Sequence, residues 1–322
     1  GPRRKAALET SKAAAHPATK PKEELAEDKL KIEDLRLDVG SRLLTMISDP
    51  QYSLADKVKS LRRRFASDYG FLLPPVRIND DLYISPEEYR ILVQDIEVAS
   101  GAVRPNCVMA INPSGGEIDL PGEKTTDPSF GMDARWIDAS IADRAEEEGY
   151  TIVGPDSVLI THLAETIKEN LPSLLTYGAL QRLVDTLDPD YRKLLNDITP
   201  AQISFVGLQR ILQGLLAERV SIRNLPQILE AVSEACGWTR NITLITEHVR
   251  TRLGKQISSV LTGPGGYIPV ITLSAKWEKT FLESLQGAPG EERTFAMAPS
   301  HVQEFISVAR SKLAKHKDAE TP

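Results

Sequence analysis

PGEKTTDPSFGMDARWID (residues 121–138), followed after a helix-like run by YTIVGPDSVLITHL (residues 150–163), is the stretch on which the organisation of this 322-residue chain turns. Pro121-Gly122 and Asp127-Pro128 are loop punctuation, because proline fixes φ and pushes the residue before it out of the α region. Phe130 therefore lies in or beside irregular backbone, with Gly131 directly after it. Two readings of the loop stand side by side. Either Asp127 caps a turn and Phe130 anchors the loop to the core, or the aromatic beside a carboxylate is an exposed binding anchor.

Outward from the loop, the pattern is of one small domain inserted in another. CVMAI, from Cys107, reads as a strand, Ser114-Gly115-Gly116 as a turn, Asp138 as the cap of a helix reaching Gly149, and the run from Tyr150 to Val153 as a closing strand. The chain leaves its host near Pro105 and returns after Pro155 in a helix, VLITHLAETIKENL. Thr161 lies three residues beyond Val158 there and shares its face. If that face borders the insert, Thr161 looks across the hinge toward Asp127 and Phe130.

The host reads as a strand from Leu35 to Val39 and a helix from a Ser53 cap, with Leu54, Val58, Leu61 and Phe65 on one face and Gly70 at its end. A hairpin of FLLPPVRI and LYIS around Asn79-Asp80-Asp81 follows, and YRILVQDIEV is a third strand-like run. From Leu174 to Gly254 the period is helical: Thr199-Pro200 opens a run through Ile203, Leu208, Leu212 and Leu215, and Asn224 caps the next helix, which stops at Gly237. Beyond it, ISSVLTG and YIPVITL flank Gly263-Pro264-Gly265-Gly266 as a hairpin. A helix with Trp277, Phe281 and Leu285 on one face and a terminal helix from a Ser300 cap complete the chain.

The expected fold is therefore multidomain α/β plus α: two small α/β domains, one inserted in the other, a helical domain, and a C-terminal α/β domain. Its boundaries are a flexible linker at 1–33, a first α/β domain at 34–105 plus 155–173, the inserted α/β domain at 106–154, the helical domain at 174–254, and the C-terminal domain with a short tail at 255–322. The linker is rich in Ala, Lys, Glu and Pro and too poor in large apolar side chains to offset its ordering entropy. Gly1-Pro2 without an initiator Met reads as the scar of a cleaved tag, so the native chain is expected to begin earlier.

Composition narrows the function. Hydrophobic and charged contents of 41% and 26% are those of a soluble globular protein, and no apolar run approaches the roughly 20 residues that cross a bilayer. A formal net charge of −6 argues against nucleic acid as a partner, and the one dense basic cluster, Arg62-Arg63-Arg64, points three ways on a helix. Cys107 and Cys236 read as two buried free thiols in a reducing compartment. No catalytic motif or phosphate-binding loop is present, and no cofactor or catalytic residue is expected. His162 and Glu165, three apart on a helix, form a pair able to hold a metal as in a hydrolase, though without a second histidine nearby. A binding module fits better, with Ile111, Pro113, Phe130, Met132, Val153 and Val158 lining a shallow depression and Asp127 and Thr161 at its edge.

Three blocks in order, FLLPPVRIND-x-LYISPEEYRI, DPSFG-x3-WI and YTIVGPDSVLITHL, resemble the FlhA/SctV family of export-gate proteins, with similarity from about Asp34 to about Lys315. The resemblance implies the cytoplasmic half of a flagellar export gate at the cytoplasmic face of the bacterial inner membrane. It implies a non-enzymatic docking platform for flagellar export chaperones carrying late substrates, contacts with export ATPase complex components, and self-association into a nonameric ring. In family terms Asp127, Phe130 and Thr161 belong to a chaperone-receiving hollow that the aliphatic positions line. Met132-Asp133 departs from the Leu-Pro of many relatives, adding adaptability and a charge. The injectisome branch of the same family is the alternative machine.

Overall fold

The structure, a computed structural model, describes residues 32–48, 54–268, 270, 272–287 and 293–317. All of the expected linker but Ile32 and Glu33, and the Ser53 cap, fall outside these.

The first sheet is built on β1 (Leu35–Val39), whose Leu35, Leu37 and Val39 are fully buried. The chain then crosses over through α1 (Ser41–Ser48) and α2 (Leu54–Tyr69) to β2 (Arg77–Asp80), which pairs with β1 in parallel. A parallel partner requires such a crossover. The hairpin expected around Asn79-Asp80-Asp81 is therefore absent: LYIS lies in turns, and Tyr83 is 99% exposed. The hairpin comes one step later, between β3 (Glu88–Val93) and β4 (Ile96–Ala102), so that YRILVQDIEV is two strands rather than one. Its turn residues Gln94 and Asp95 both take positive φ, 52° and 61°, the backbone of a type I′ turn. The strand order is β2-β1-β3-β4.

On α2, Leu54, Val58, Leu61 and Phe65 are buried as their spacing predicts. Gly70 ends the helix at φ +88°, where a Cβ would come 2.3 Å from the Arg223 backbone. Only glycine permits this close approach, across which the Ile222 N–H bonds the Tyr69 carbonyl at 2.9 Å.

The second sheet comprises β5 (Cys107–Ile111), β6 (Glu123–Thr126), β7 (Asp133–Asp138) and β8 (Thr151–Val153), all antiparallel in the order β6-β7-β5-β8. Strand alternation divides its side chains between two cores. Met109, Ile111, Ala134 and Trp136 join the main core. Ala110 and Ile137 face a small satellite core with Ile118, Leu120 and Ala145, the last on α3 (Ala142–Glu147). Asp138 caps the turn leading into α3, its carboxylate accepting from the Ser140 N–H at 2.8 Å.

The return helix, α4 (Pro155–Glu169), buries Val158, Leu159, His162, Leu163, Thr166 and Ile167 against the main core and packs on β5 and α2. Six further helices follow: α5 (Leu171–Leu174), α6 (Tyr177–Asp185), α7 (Pro189–Ile198), α8 (Phe205–Ala217), α9 (Leu225–Cys236) and α10 (Ile242–Arg252). Asn224 caps α9 as expected, but α8 is capped by Ser204, which accepts from the Gly207 N–H at 2.9 Å. Thr199 instead closes α7. Both cysteines are free; Cys236 is buried and Cys107 only half-buried.

Helix continues past the expected boundary. ISSVL belongs to α11 (Gly254–Leu261), not to a strand, although Ile257, Ser258, Ser259 and Val260 are poor helix formers. The rest is α12 (Ala275–Glu283), the short pair β9 (Leu285–Gln286) and β10 (Thr294–Phe295), and α13 (Pro299–Lys317). Leu285 thus lies beyond α12, and Ser300 lies inside α13 rather than capping it.

Candidate functional site

Asp127 follows β6 and opens a six-residue loop that crosses to β7. Its own backbone closes the turn: the Asp127 N–H bonds the Met132 carbonyl at 2.8 Å, and the Gly131 N–H bonds the Asp127 carbonyl at 2.9 Å. Gly131 takes φ +68°, which lets the chain reverse there. The Asp127 carboxylate accepts from the Phe130 N–H at 2.8 Å. The two sequence readings divide between the residues: Asp127 caps the turn from a buried position, whereas Phe130 stands 61% exposed and does not anchor the loop to the core. Ser129 Oγ, in the same loop, has no hydrogen-bond partner among the described residues.

The other residues expected to line the depression divide by depth. Pro113 and Met132 are exposed, and Thr161 and Val153 are half-buried. Ile111 and Val158 are not lining residues: at 8% and 2% exposure they are part of the main core. Strand pairing explains this for Ile111, which faces Ala134 on β7 and Thr151 on β8 and so sits in the middle of the second sheet. Val158 lies on the face of α4 that packs inward, and Thr161 stands at the edge of that face.

What joins the loop to α4 is a group the sequence did not reveal. Tyr89, fully buried on β3, places its hydroxyl 2.8 Å from Nδ1 of His162, directly after Thr161. The Asp127 carboxylate acts electrostatically on both rings. Burial and then Asp127 push the Tyr89 phenol far above its ordinary range, so it keeps its proton. The Tyr89 hydroxyl and His162 Nδ1 share one hydrogen bond, whose donor is set by the tautomer of the ring. Burial lowers the His162 pKa, and Asp127 and Glu169 oppose that shift. First sheet and return helix thus meet at one buried polar pair, and the loop carboxylate acts on it electrostatically. The signal for it in the sequence was a tyrosine at a buried position of β3, which nothing local distinguishes from a core aromatic.

His162 and Glu165 do not act together. Glu165 pairs with Lys168 at 2.6 Å, while His162 turns to Tyr89. No group of three or more His, Cys, Asp or Glu able to hold a metal occurs among the described residues.

Both crossings between the sheets carry ion pairs. Beside Pro105, Arg104 holds Glu123 of β6 through two bonds, Nη2 at 2.7 Å and Nε at 2.9 Å, and reaches Glu87 at 3.1 Å. At the return, the partly exposed Lys57 on α2 pairs with the buried Asp156 of α4. Glu123 is thereby held below the usual carboxylate range, first by the Arg104 hydrogen bond.

Comparison with known proteins places this geometry. The chain is 41% identical over 310 residues to the flagellar biosynthesis protein FlhA of Caulobacter vibrioides, covering 96% of this chain and 44% of that one. Against the same protein of Salmonella typhimurium it is 36% identical over 265 residues, covering 82% and 38%. The chain thus spans less than half the length of these relatives. Its fold is that of the Chlamydia pneumoniae CdsV protein (TM-score 0.74, 22% identity, covering 91% of this chain and 83% of that one) and of the nonameric SctV-C of EPEC (TM-score 0.68, 17% identity, covering 87% and 83%). Among the described residues no helix is long and apolar enough to cross a membrane. The mixed α/β fold agrees with these neighbours, the FHIPEP family matches residues 2–322, and the chain belongs to that family.

Proposed function

We propose that this chain is the cytoplasmic docking platform of a flagellar type III export gate, binding export chaperones with their late substrates and helping to order export. The single observation that carries the reading is the loop of Asp127 to Met132: a buried carboxylate shapes the turn and leaves a large aromatic in solvent. A rigidly held exposed aromatic is how binding hot spots are built. Asp127 acts in this reading by setting the loop, and Phe130, Met132, Pro113, Val153 and Thr161 offer the contact surface.

The two sheets are joined through the chain at Arg104-Pro105 and Gly154-Pro155, so a swing of the second sheet about these points opens or closes the hollow. The ion pairs of Arg104 and Lys57 set its resting position. Relatives solved as nonamers and in a complex described as CdsV with CdsO support further proposals. These are that the chain forms a homo-oligomeric ring, that it meets components of the export ATPase complex, and that it sits at the cytoplasmic face of the inner membrane. Curated relatives at 41% and 36% identity are flagellar, which favours that branch over the injectisome.

The test is calorimetric titration of the 322-residue chain with a purified flagellar chaperone–substrate complex. Phe130→Ala is expected to weaken binding by about 2 kcal/mol, roughly thirtyfold, with unchanged circular dichroism. Unaltered affinity in a folded variant removes the site.

A further inference from the structure

Beyond Leu253 no described residue is buried, although the chain there remains rich in large apolar side chains. What holds this end together is an aromatic cluster in which Phe281 contacts Trp277, Phe295 and Phe305 at ring separations of 6.3, 5.6 and 5.0 Å. Among the described residues the cluster leaves one side open. Between α13 and the segment entering α12 lies a groove of about 420 Å³ lined by Trp277 and Phe305, set edge to face 5.2 Å apart. Its walls are Leu273, Val308 and Leu313, exposed by 41%, 45% and 51%. Phe305, Val308 and Lys312 follow one another at spacings of three and four, so the groove runs along about two turns of one helix face.

Charge identifies the occupant. The chain as a whole is acidic, with a formal net charge of −6, yet from Phe305 to Lys317 it carries Arg310, Lys312, Lys315 and Lys317 and no Asp or Glu. Lys312 lies on the groove itself, and neither it nor Arg310 has an ion-pair partner among the described residues. An apolar channel two helical turns long with the unpaired Lys312 on its lining is complementary to an amphipathic helix whose apolar stripe is flanked by carboxylates. A membrane surface is less well matched, because bilayer binding uses a convex apolar face and these side chains line a concavity. We propose that the groove between α12 and α13 docks an acidic amphipathic helix of a partner protein, at a surface separate from the loop of Phe130.

The proposal is tested with two fluorescein-labelled 18-residue helical peptides that share a leucine stripe and differ only in flanking it with Glu or with Lys, titrated with the full chain at low salt. The Glu peptide is expected to bind at least tenfold more tightly, Val308→Glu to abolish that binding with unchanged circular dichroism, and Lys312→Glu to erase the preference. Equal affinity for the two peptides, or binding of neither, overturns the proposal. So does sedimentation of the chain with phosphatidylglycerol vesicles, abolished by Val308→Glu, in the absence of Glu-peptide binding.

Discussion

The Asp127 carboxylate holds the Phe130 N–H at 2.8 Å, so a residue that is itself 5% exposed fixes the position of one that is 61% exposed. The aromatic surface depends on a carboxylate that a partner scarcely touches. Replacing Asp127 by alanine is expected to remove the cap, cost about 1 kcal/mol of stability, and weaken chaperone binding without altering Phe130. Asparagine keeps an acceptor oxygen and is expected to retain most of both. Urea denaturation and calorimetry of the two variants check this, and equal losses for both contradict the capping role.

The same carboxylate acts electrostatically on His162. Because burial lowers the pKa of this histidine, the folded chain binds its proton less readily than the unfolded chain, whose value is about 6.5. The sign follows: stability is fully present above the unfolded pKa and declines as pH falls through it toward the lower folded value. Unfolding midpoints measured between about pH 5 and pH 8 should rise with pH in the native chain and rise less in His162→Gln. In Asp127→Asn, loss of the carboxylate should lower the His162 pKa further, as read by its NMR titration.

Arg104 ties the sheets together at the first crossing. Arg104→Ala removes the paired bonds to Glu123 and the contact with Glu87 at once, and Glu123→Gln weakens only the former. Distance distributions between spin labels placed on β4 and on α3 are expected to broaden in Arg104→Ala and to change less in Glu123→Gln. A distribution identical to the native one places control of the angle elsewhere.

Periodicity revealed those elements whose burial follows a single face. β1, α2, β5, β8, α4 and α9 were legible because Leu54, Val58, Leu61 and Phe65, or Ile228, Leu229 and Val232, repeat on one side. The first sheet was misread where tertiary context outweighed local chemistry. Gln94-Asp95 makes a type I′ turn without glycine, and Arg77 to Asp80 pairs in parallel with a strand some forty residues earlier, which no local pattern encodes. EKTT of β6 is an edge strand with almost nothing to bury, and so gave no signal. At the site, proline and glycine marked the loop and singled out Phe130. The depth of Asp127, the core positions of Ile111 and Val158, and the Tyr89–His162 pair all depend on which faces of two sheets meet α4, and strand and helix periods alone do not specify that.

The central claim is that the Phe130 loop and the Thr161 edge of α4 form one docking surface. A double-mutant cycle with Phe130→Ala and Thr161→Asp, read by calorimetry against a chaperone–substrate complex, tests it most directly. Each single variant is expected to weaken binding, and the pair to show a coupling of about 0.5 kcal/mol or more, as neighbouring contacts do. Strict additivity, or full affinity in either single variant with its fold intact, contradicts a shared surface.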